Sequence, residues 1–240
     1  MSDVSRETPP TPDAARGVFA PDRLPLAERY AELLATAGTL RGLIGPREVE
    51  RLWERHLLNS AALAEVLPRD ATVADIGSGA GLPGLVLAIA RPDLRITLIE
   101  PLLRRTTFLS EVVEELGLDN VEVVRGRAEA LHGQRRFDVV TSRAVAPLPR
   151  LLEWSMPLVA PHGALVAMKG SSVDQEIEDA SGVLDKLGAA RPERLEVGTE
   201  SPATLVRVSW ADPARVGSAG RSSAGRTKRS GHRKRRPSRG

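Results

Sequence analysis

The chain has 240 residues, 41% of them hydrophobic, with 34 basic and 31 acidic side chains, a formal net charge of +3 and no cysteine. That length suits one sizeable domain with extensions, and the missing cysteine removes disulfides, thiolate metal sites and a cysteine nucleophile. The four histidines, at 56, 132, 162 and 232, lack metal-ligand spacing, no apolar run reaches bilayer-crossing length, and the N-terminal residues lack a signal-peptide pattern; a soluble, cytoplasmic protein without a metal is expected.

In chain order, residues 1–20 carry Pro9, Pro10 and Pro12 with no periodicity and are expected to be disordered. A helical extension is expected over residues 21–68. Leu24, Leu26, Tyr30, Leu33, Leu34 and Ala37 form one face of a first helix ending near Gly38. A second helix starts at Pro46, turns Val49, Leu52, Trp53, His56, Leu57, Ser60, Leu63 and Leu67 inward, and stops at Pro68. On its surface Arg47, Arg51 and Arg55 recur every fourth residue. This is either a basic stripe for nucleic acid or a solvated face paired with Glu48, Glu50 and Glu54.

Over residues 69–212 strand and helix patterns alternate. Strands are predicted at 72–76, 95–100, 121–125, 137–141 and 164–168. The helices between them are predicted at 83–91, 102–116 and 147–159, with a short helical turn at 127–131 and a further helix at 173–188. Two last strands, near 192–197 and 203–210, leave no room for a helix between them and predict an antiparallel hairpin. The whole predicts an α/β, doubly wound, mostly parallel sheet covered on both faces. Residues 213–240 are expected to be a disordered basic tail. Residues 221–240 hold nine Arg or Lys and no acid, against 25 basic and 31 acidic residues before them, a balance of −6. The tail reads as a solubility segment or as an electrostatic arm for nucleic acid.

The segment Val73-Ala-Asp-Ile-Gly-Ser-Gly-Ala-Gly-Leu-Pro-Gly84 reads as a strand, a glycine-rich turn and a helix start, the way a nucleotide-like cofactor is gripped. Gly79-x-Gly81-x-x-Gly84 also fits the dinucleotide fingerprint. Asp75, two residues before Gly77, shifts the balance: a carboxylate repels a pyrophosphate and suits a cationic donor such as S-adenosylmethionine. Glu100, at the tip of the second strand, is placed to bind a ribose diol. Gly77, Glu100, Arg127, Arg143 and Lys169 all fall just past predicted strand ends, the rim where ligands of such sheets bind. On the residues alone a methyltransferase acting on RNA, protein or a small molecule and an NAD(P)-dependent oxidoreductase both remain open.

The string DIGSGAGLPG, the Arg-His-Leu-Leu-Asn-Ser stretch at 55–60, Arg127-Ala128-Glu129, Ser142-Arg143-Ala144 and Met168-Lys169-Gly170 together resemble one family. It is the bacterial small-subunit ribosomal RNA guanine-N7 methyltransferase, or glucose-inhibited division protein B, and the resemblance covers roughly residues 22–210. It implies a seven-stranded class I methyltransferase fold, S-adenosylmethionine as cofactor, and methylation of guanine N7 in 16S ribosomal RNA near the decoding site. By position it makes Gly77 and Leu82 contacts of the cofactor loop, Ala128 and Glu129 the pair beside the adenine, and Arg143 a cofactor-side residue. To these the residue reading adds Asp75, Gly79 and Glu100. Asn59, where family members often have Asp, and the long basic tail depart from the pattern.

Guanine N7 carries a lone pair and no proton, so its methylation needs no general base and rests on alignment. No catalytic acid–base residue is therefore expected. Methylation of a pyrimidine carbon would need the absent cysteine, and the Asn/Asp-Pro-Pro-aromatic signature of exocyclic-amine methyltransferases is missing at Ser142-Arg143-Ala144-Val145. Arg51, Arg55, Arg127, Arg143 and Lys169 are expected to hold RNA phosphate or the guanine O6 edge, the partner being the ribosomal RNA or the assembling 30S subunit. A monomer is expected. Replacing Arg143 or Lys169 by Ala is expected to abolish transfer with the fold intact.

Overall fold

A computed structural model describes residues 8–218; the basic tail beyond residue 218 and the first seven residues lie outside the described residues. At its centre is a seven-stranded sheet of β1 (Thr72–Ile76), β2 (Arg95–Glu100), β3 (Val121–Arg125), β4 (Phe137–Arg143), β5 (Val159–Lys169), β6 (Glu193–Val197) and β7 (Ala203–Ser209), in spatial order β3-β2-β1-β4-β5-β7-β6. β1 to β5 run parallel, and β7 pairs antiparallel with both β5 and β6. The central strands are buried without alternation because both of their faces are covered. Val73, Ile96 and Leu98 pack on one side, and Ala74, Ile76 and Ile99 on the other. From β1 the chain steps outward to β2 and β3 and then returns to β4 on the other side of β1. The crevice at the carboxyl ends of β1 and β4 is thus the topological switch point.

The helices are α1 (Asp13–Val18), α2 (Leu24–Leu33), α3 (Asn59–Ala61), α4 (Gly84–Ala90), α5 (Leu103–Leu116), α6 (Leu148–Ser155), α7 (Val173–Asp179), α8 (Ser181–Leu187) and α9 (Pro213–Ser218). α4, α5 and the N-terminal helices share one core with the sheet, including Tyr30, Leu34, Leu57, Leu85 and Phe108. α6, α7 and α8 cover the opposite face through Leu148, Leu151, Val173 and Leu184.

The predicted strands match closely, and the differences have local causes. α1 lies inside the segment expected to be disordered. Its Ala15 and the following Phe19 are buried, Phe19 meets the Trp53 ring edge-on at 6.5 Å, and Trp53 Nε1 donates to the Pro9 carbonyl at 3.2 Å. These are tertiary contacts with no periodic trace in sequence. The predicted second helix winds unevenly, 3₁₀ over Pro46–Arg51, π over Leu52–Leu58, then α3 and a 3₁₀ turn at Ala62–Val66. The π segment buries Leu52, Trp53, His56, Leu57 and Leu58, a wider inward face than a regular α-helix presents. The predicted 173–188 helix breaks at the buried Ala180, β5 begins at Val159 by pairing with Phe137, and α9 stands within the segment expected to be a disordered tail.

Candidate cofactor and nucleic-acid site

Two cavities open at the carboxyl rim of the sheet. The first, about 600 Å³, within the size range of cofactor sites, runs beyond β1, β2 and β3, and Gly77, Gly79, Leu82, Glu100, Ala128 and Glu129 line it. The helical extension supplies another wall through Leu43, Ile44 and Glu48. The second, about 780 Å³, lies beyond β4 and β5, between Arg55, His56 and Asn59 of the extension, Ser142 to Pro147, Lys169, and the β6–β7 turn at Pro202. Arg143 and His56 line both.

The glycine turn is shaped by close approach. Gly77 has φ +68°, and a Cβ there would stand 2.9 Å from Val145 Cγ2. A Cβ on Gly84 would meet Leu98 and Asp75 Oδ2 at 2.3 and 2.7 Å, so α4 enters tight against β1 and β2. The Gly79 amide donates to Glu100 Oε2 at 3.1 Å, and the Gly84 amide, at the start of α4, donates to Asp75 Oδ2 at 3.1 Å. A dinucleotide site leaves such amides for the pyrophosphate; here the protein's own carboxylates occupy them. Glu100 is 1% exposed, its Oε1 accepts from the Leu102 amide at 3.0 Å, and Arg105 Nη1 lies 3.4 Å from Oε2. Each carboxylate oxygen accepts more than one hydrogen bond, so Glu100 keeps capacity to bind a diol in the first cavity. With the open backbone at Gly77 and the Ala128–Glu129 wall, the residues present fit an adenosyl cofactor.

The family model for GidB, rRNA small subunit methyltransferase G, matches residues 23–200. The chain belongs to that family. It is 66% identical over 236 residues to the ribosomal RNA small subunit methyltransferase G of Nocardioides sp. (strain ATCC BAA-499 / JS614), covering 96% of this chain and 94% of the relative. To the protein of the same name from Streptomyces coelicolor it is 59% identical over 212 residues, 87% of this chain and 88% of that one. Among solved structures, M. jannaschii TYW2 in complex with AdoMet superposes with TM-score 0.50 at 16% identity, covering 62% of this chain and 72% of that chain. Trm5b from Pyrococcus abyssi gives 0.50 at 14%, covering 70% and 50%. The fold is that of class I methyltransferases, and the family is one of ribosomal RNA small-subunit methyltransferases.

Within this enzyme the residues singled out from sequence separate by role. Gly77, Gly79, Leu82, Glu100, Ala128, Glu129 and Arg143 all line the first cavity. Asp75 does not, and its reading as a direct cofactor contact is corrected: it is fully buried beneath the turn. Burial raises its pKa to about 7, against the opposing pull of the Gly84 amide and the Ser78 side chain. The Gly84 amide is thus taken by Asp75 from below the turn, and no Asp75 oxygen faces the first cavity.

Lys169 needs a correction as well. Its Nζ donates to Glu176 Oε2 at 2.7 Å and to the Ala146 carbonyl at 2.9 Å, and the side chain is 6% exposed. Glu176 also accepts from the Leu148 amide and from Ser172. The pair ties β5, the 144–148 loop and α7 together, so Lys169 braces the rim of the second cavity and is not an open phosphate ligand. Arg127 is exposed on the first cavity, not the second; Arg55 borders the second and pairs with Glu48 Oε1 at 3.1 Å; Arg51 is exposed and borders neither.

Sequence reasoning gave His56 only an inward helix position and Glu48 only pairing with the arginine stripe, which its contact with Arg55 bears out. Arg143 Nη2 donates to His56 Nδ1 at 2.7 Å, and His56 Nε2 lies 2.9 Å from Glu48 Oε2. The one available signal was a histidine on an otherwise apolar helix face inside a motif already noted.

Proposed function

We propose that the enzyme transfers a methyl group to N7 of a guanine in small-subunit ribosomal RNA, near the decoding site, with the first cavity holding the cofactor and the second the acceptor base. S-adenosylmethionine, when bound, supplies an electrophilic methyl group on a sulfonium. Glu100 would hold the ribose hydroxyls, the backbone at Gly77 and Gly79 the methionine portion, and Ala128 with Glu129 the adenine edge. Arg143, in the wall common to both cavities, would donate to the O6 edge of the guanine, where Arg is a favoured partner, and Arg55 and Arg127 would meet phosphate.

The observation that carries this reading is the shared wall: Arg143 borders the cofactor-sized cavity and the cavity beside it at the switch point. An acceptor nitrogen with an exposed lone pair needs alignment and no proton removal. Both nitrogens of His56, the histidine on that wall, are engaged by Arg143 and Glu48, in keeping with a reaction that asks no base of it. Among the described residues no helix is long and apolar enough to cross a membrane.

The test is transfer of a tritiated methyl group to small-subunit particles from a strain lacking this protein, followed by mapping of the modified base. N7-methylguanine at a single site near the decoding region is expected. Label in a pyrimidine, in ribosomal protein or at an exocyclic amine would overturn the assignment.

A further inference from the structure

Arg143 reaches the shared wall from the end of β4, but what fixes its guanidinium lies 87 residues earlier, in the extension. Nη2 donates to His56 Nδ1 at 2.7 Å and Nη1 to the Arg55 carbonyl at 3.2 Å. Across the imidazole, His56 Nε2 meets Glu48 Oε2 at 2.9 Å. A guanidinium can only donate and a carboxylate can only accept. The imidazole between them must therefore be neutral, with its hydrogen on Nε2 and its lone pair toward Arg143. The ionisable groups facing His56 are Glu48 and Arg55 from its own segment and Arg143 from β4. Arg55 is in turn held by the second oxygen of Glu48, at 3.1 Å. Burial and then the charge of Arg143 pull the His56 pKa below its ordinary 6.5, outweighing the hydrogen bond that His56 donates to Glu48, so the neutral form is the resting one at neutral pH.

We infer that His56 and Glu48 are positioning residues for methyl transfer: a carboxylate–imidazole relay that orients the Arg143 guanidinium between the cofactor and acceptor cavities. The inference rests on the reading that Arg143 acts in the reaction. The uneven winding of the extension serves this arrangement, because the 3₁₀ turn carries Glu48 and the π segment carries His56. Protonation of His56 would place a hydrogen on Nδ1, remove the acceptor and set two cations against each other. The relay is thus a device that works only while the imidazole is uncharged.

The experiment compares wild type, His56→Leu, His56→Gln, Arg143→Ala and the His56→Leu/Arg143→Ala double variant in single-turnover methyl transfer to the same small-subunit particles, with thermal unfolding as the check on folding. His56→Leu is expected to lose about 10- to 100-fold in rate, the scale of one or two charge-assisted hydrogen bonds. His56→Gln keeps an acceptor and a donor and is expected to recover part of that loss. Wild type is expected to show an acid limb below about pH 6.5 that disappears in His56→Gln, and His56→Leu is expected to cost nothing further once Arg143 is Ala. If His56→Leu fails to fold, the partly exposed Glu48 supplies the same contrast, Glu48→Ala losing rate and Glu48→Gln regaining part of it.

Wild-type rates in folded His56→Leu beside an inactive Arg143→Ala would overturn the relay and leave the proposed function standing. Equal losses in His56→Leu and His56→Gln with an unchanged acid limb would reduce His56 to packing. Full activity in Arg143→Ala would remove the reading on which the relay depends.

Discussion

The Tyr30 hydroxyl donates to the carbonyl of Ala80 at 2.8 Å, so the only tyrosine of the chain ties α2 to the glycine turn. The ring is fully buried, and burial pushes its pKa well above the ordinary value, which keeps the phenol a donor. Tyr30→Phe leaves the Ala80 carbonyl unpaired in an apolar setting. A stability loss of about 1–3 kcal/mol and weaker S-adenosylhomocysteine binding are expected, measured by urea unfolding and calorimetric titration. Unchanged values in both would show that the turn holds its shape unaided.

Gly77→Ala asks an L-residue to adopt φ +68° and drives its methyl group into Val145. The left-handed backbone alone costs about 1–2 kcal/mol, so cofactor affinity is expected to fall at least tenfold. Adding Val145→Ala relieves the clash but not the backbone, and only part of the affinity should return. Complete recovery would assign the whole effect to the side-chain contact.

Glu100→Gln retains one acceptor where two now serve the Gly79 and Leu102 amides. Binding of S-adenosylhomocysteine is expected to weaken about 10- to 100-fold, as for charged hydrogen bonds. With an analogue lacking the ribose 3′-hydroxyl, the same substitution should cost less. An equal cost for both ligands would place Glu100 in loop support and not in diol binding.

Asp75, with its pKa raised to about 7, binds a proton in the folded state that an unfolded chain, near 3.8, has already released. The folded form therefore loses stability through this group as pH rises from about 4 to about 7, and that penalty is fully present above it. Asp75→Asn cannot ionise, so its stability relative to wild type should increase between pH 5 and pH 8. Denaturant unfolding at the two pH values checks this, and a constant difference would mean that Asp75 stays ionised without penalty.

Lys169→Ala leaves Glu176 partly buried without its cation. Burial alone would raise the Glu176 pKa, but Lys169, Ser172 and the Leu148 amide together hold it below its ordinary value. Removing one member of such a pair costs up to about 3–5 kcal/mol, so a lowered melting temperature is expected together with reduced transfer. Full stability with lost activity would return Lys169 to the role of a direct RNA ligand.

Much of the frame is legible in sequence because it is local. Runs such as Val73 to Ile76 and Ile96 to Ile99 announce strands covered on both faces, and the glycine turn and Glu100 announce the rim that the first cavity occupies. What escapes is pairing at a distance. Nothing in the spacing of Lys169 predicts that Glu176 will fold back onto it, and nothing in the position of Asp75 tells a buried amide acceptor from a carboxylate facing a ligand. His56 reads as one more inward helix position until β4 brings Arg143 against it. The same holds for α1, whose order derives from Trp53 and not from its own composition.

The β6–β7 turn is fastened to the extension: Ser201 Oγ donates to the Glu54 carbonyl at 2.7 Å and Asn59 Nδ2 to the Pro202 carbonyl at 2.9 Å. These two clasps join segments more than 140 residues apart, and the partners of the second, Asn59 and Pro202, line the second cavity. The early and late parts of the polypeptide thus form one buckle beside the second cavity, and trimming either side would unfasten the other.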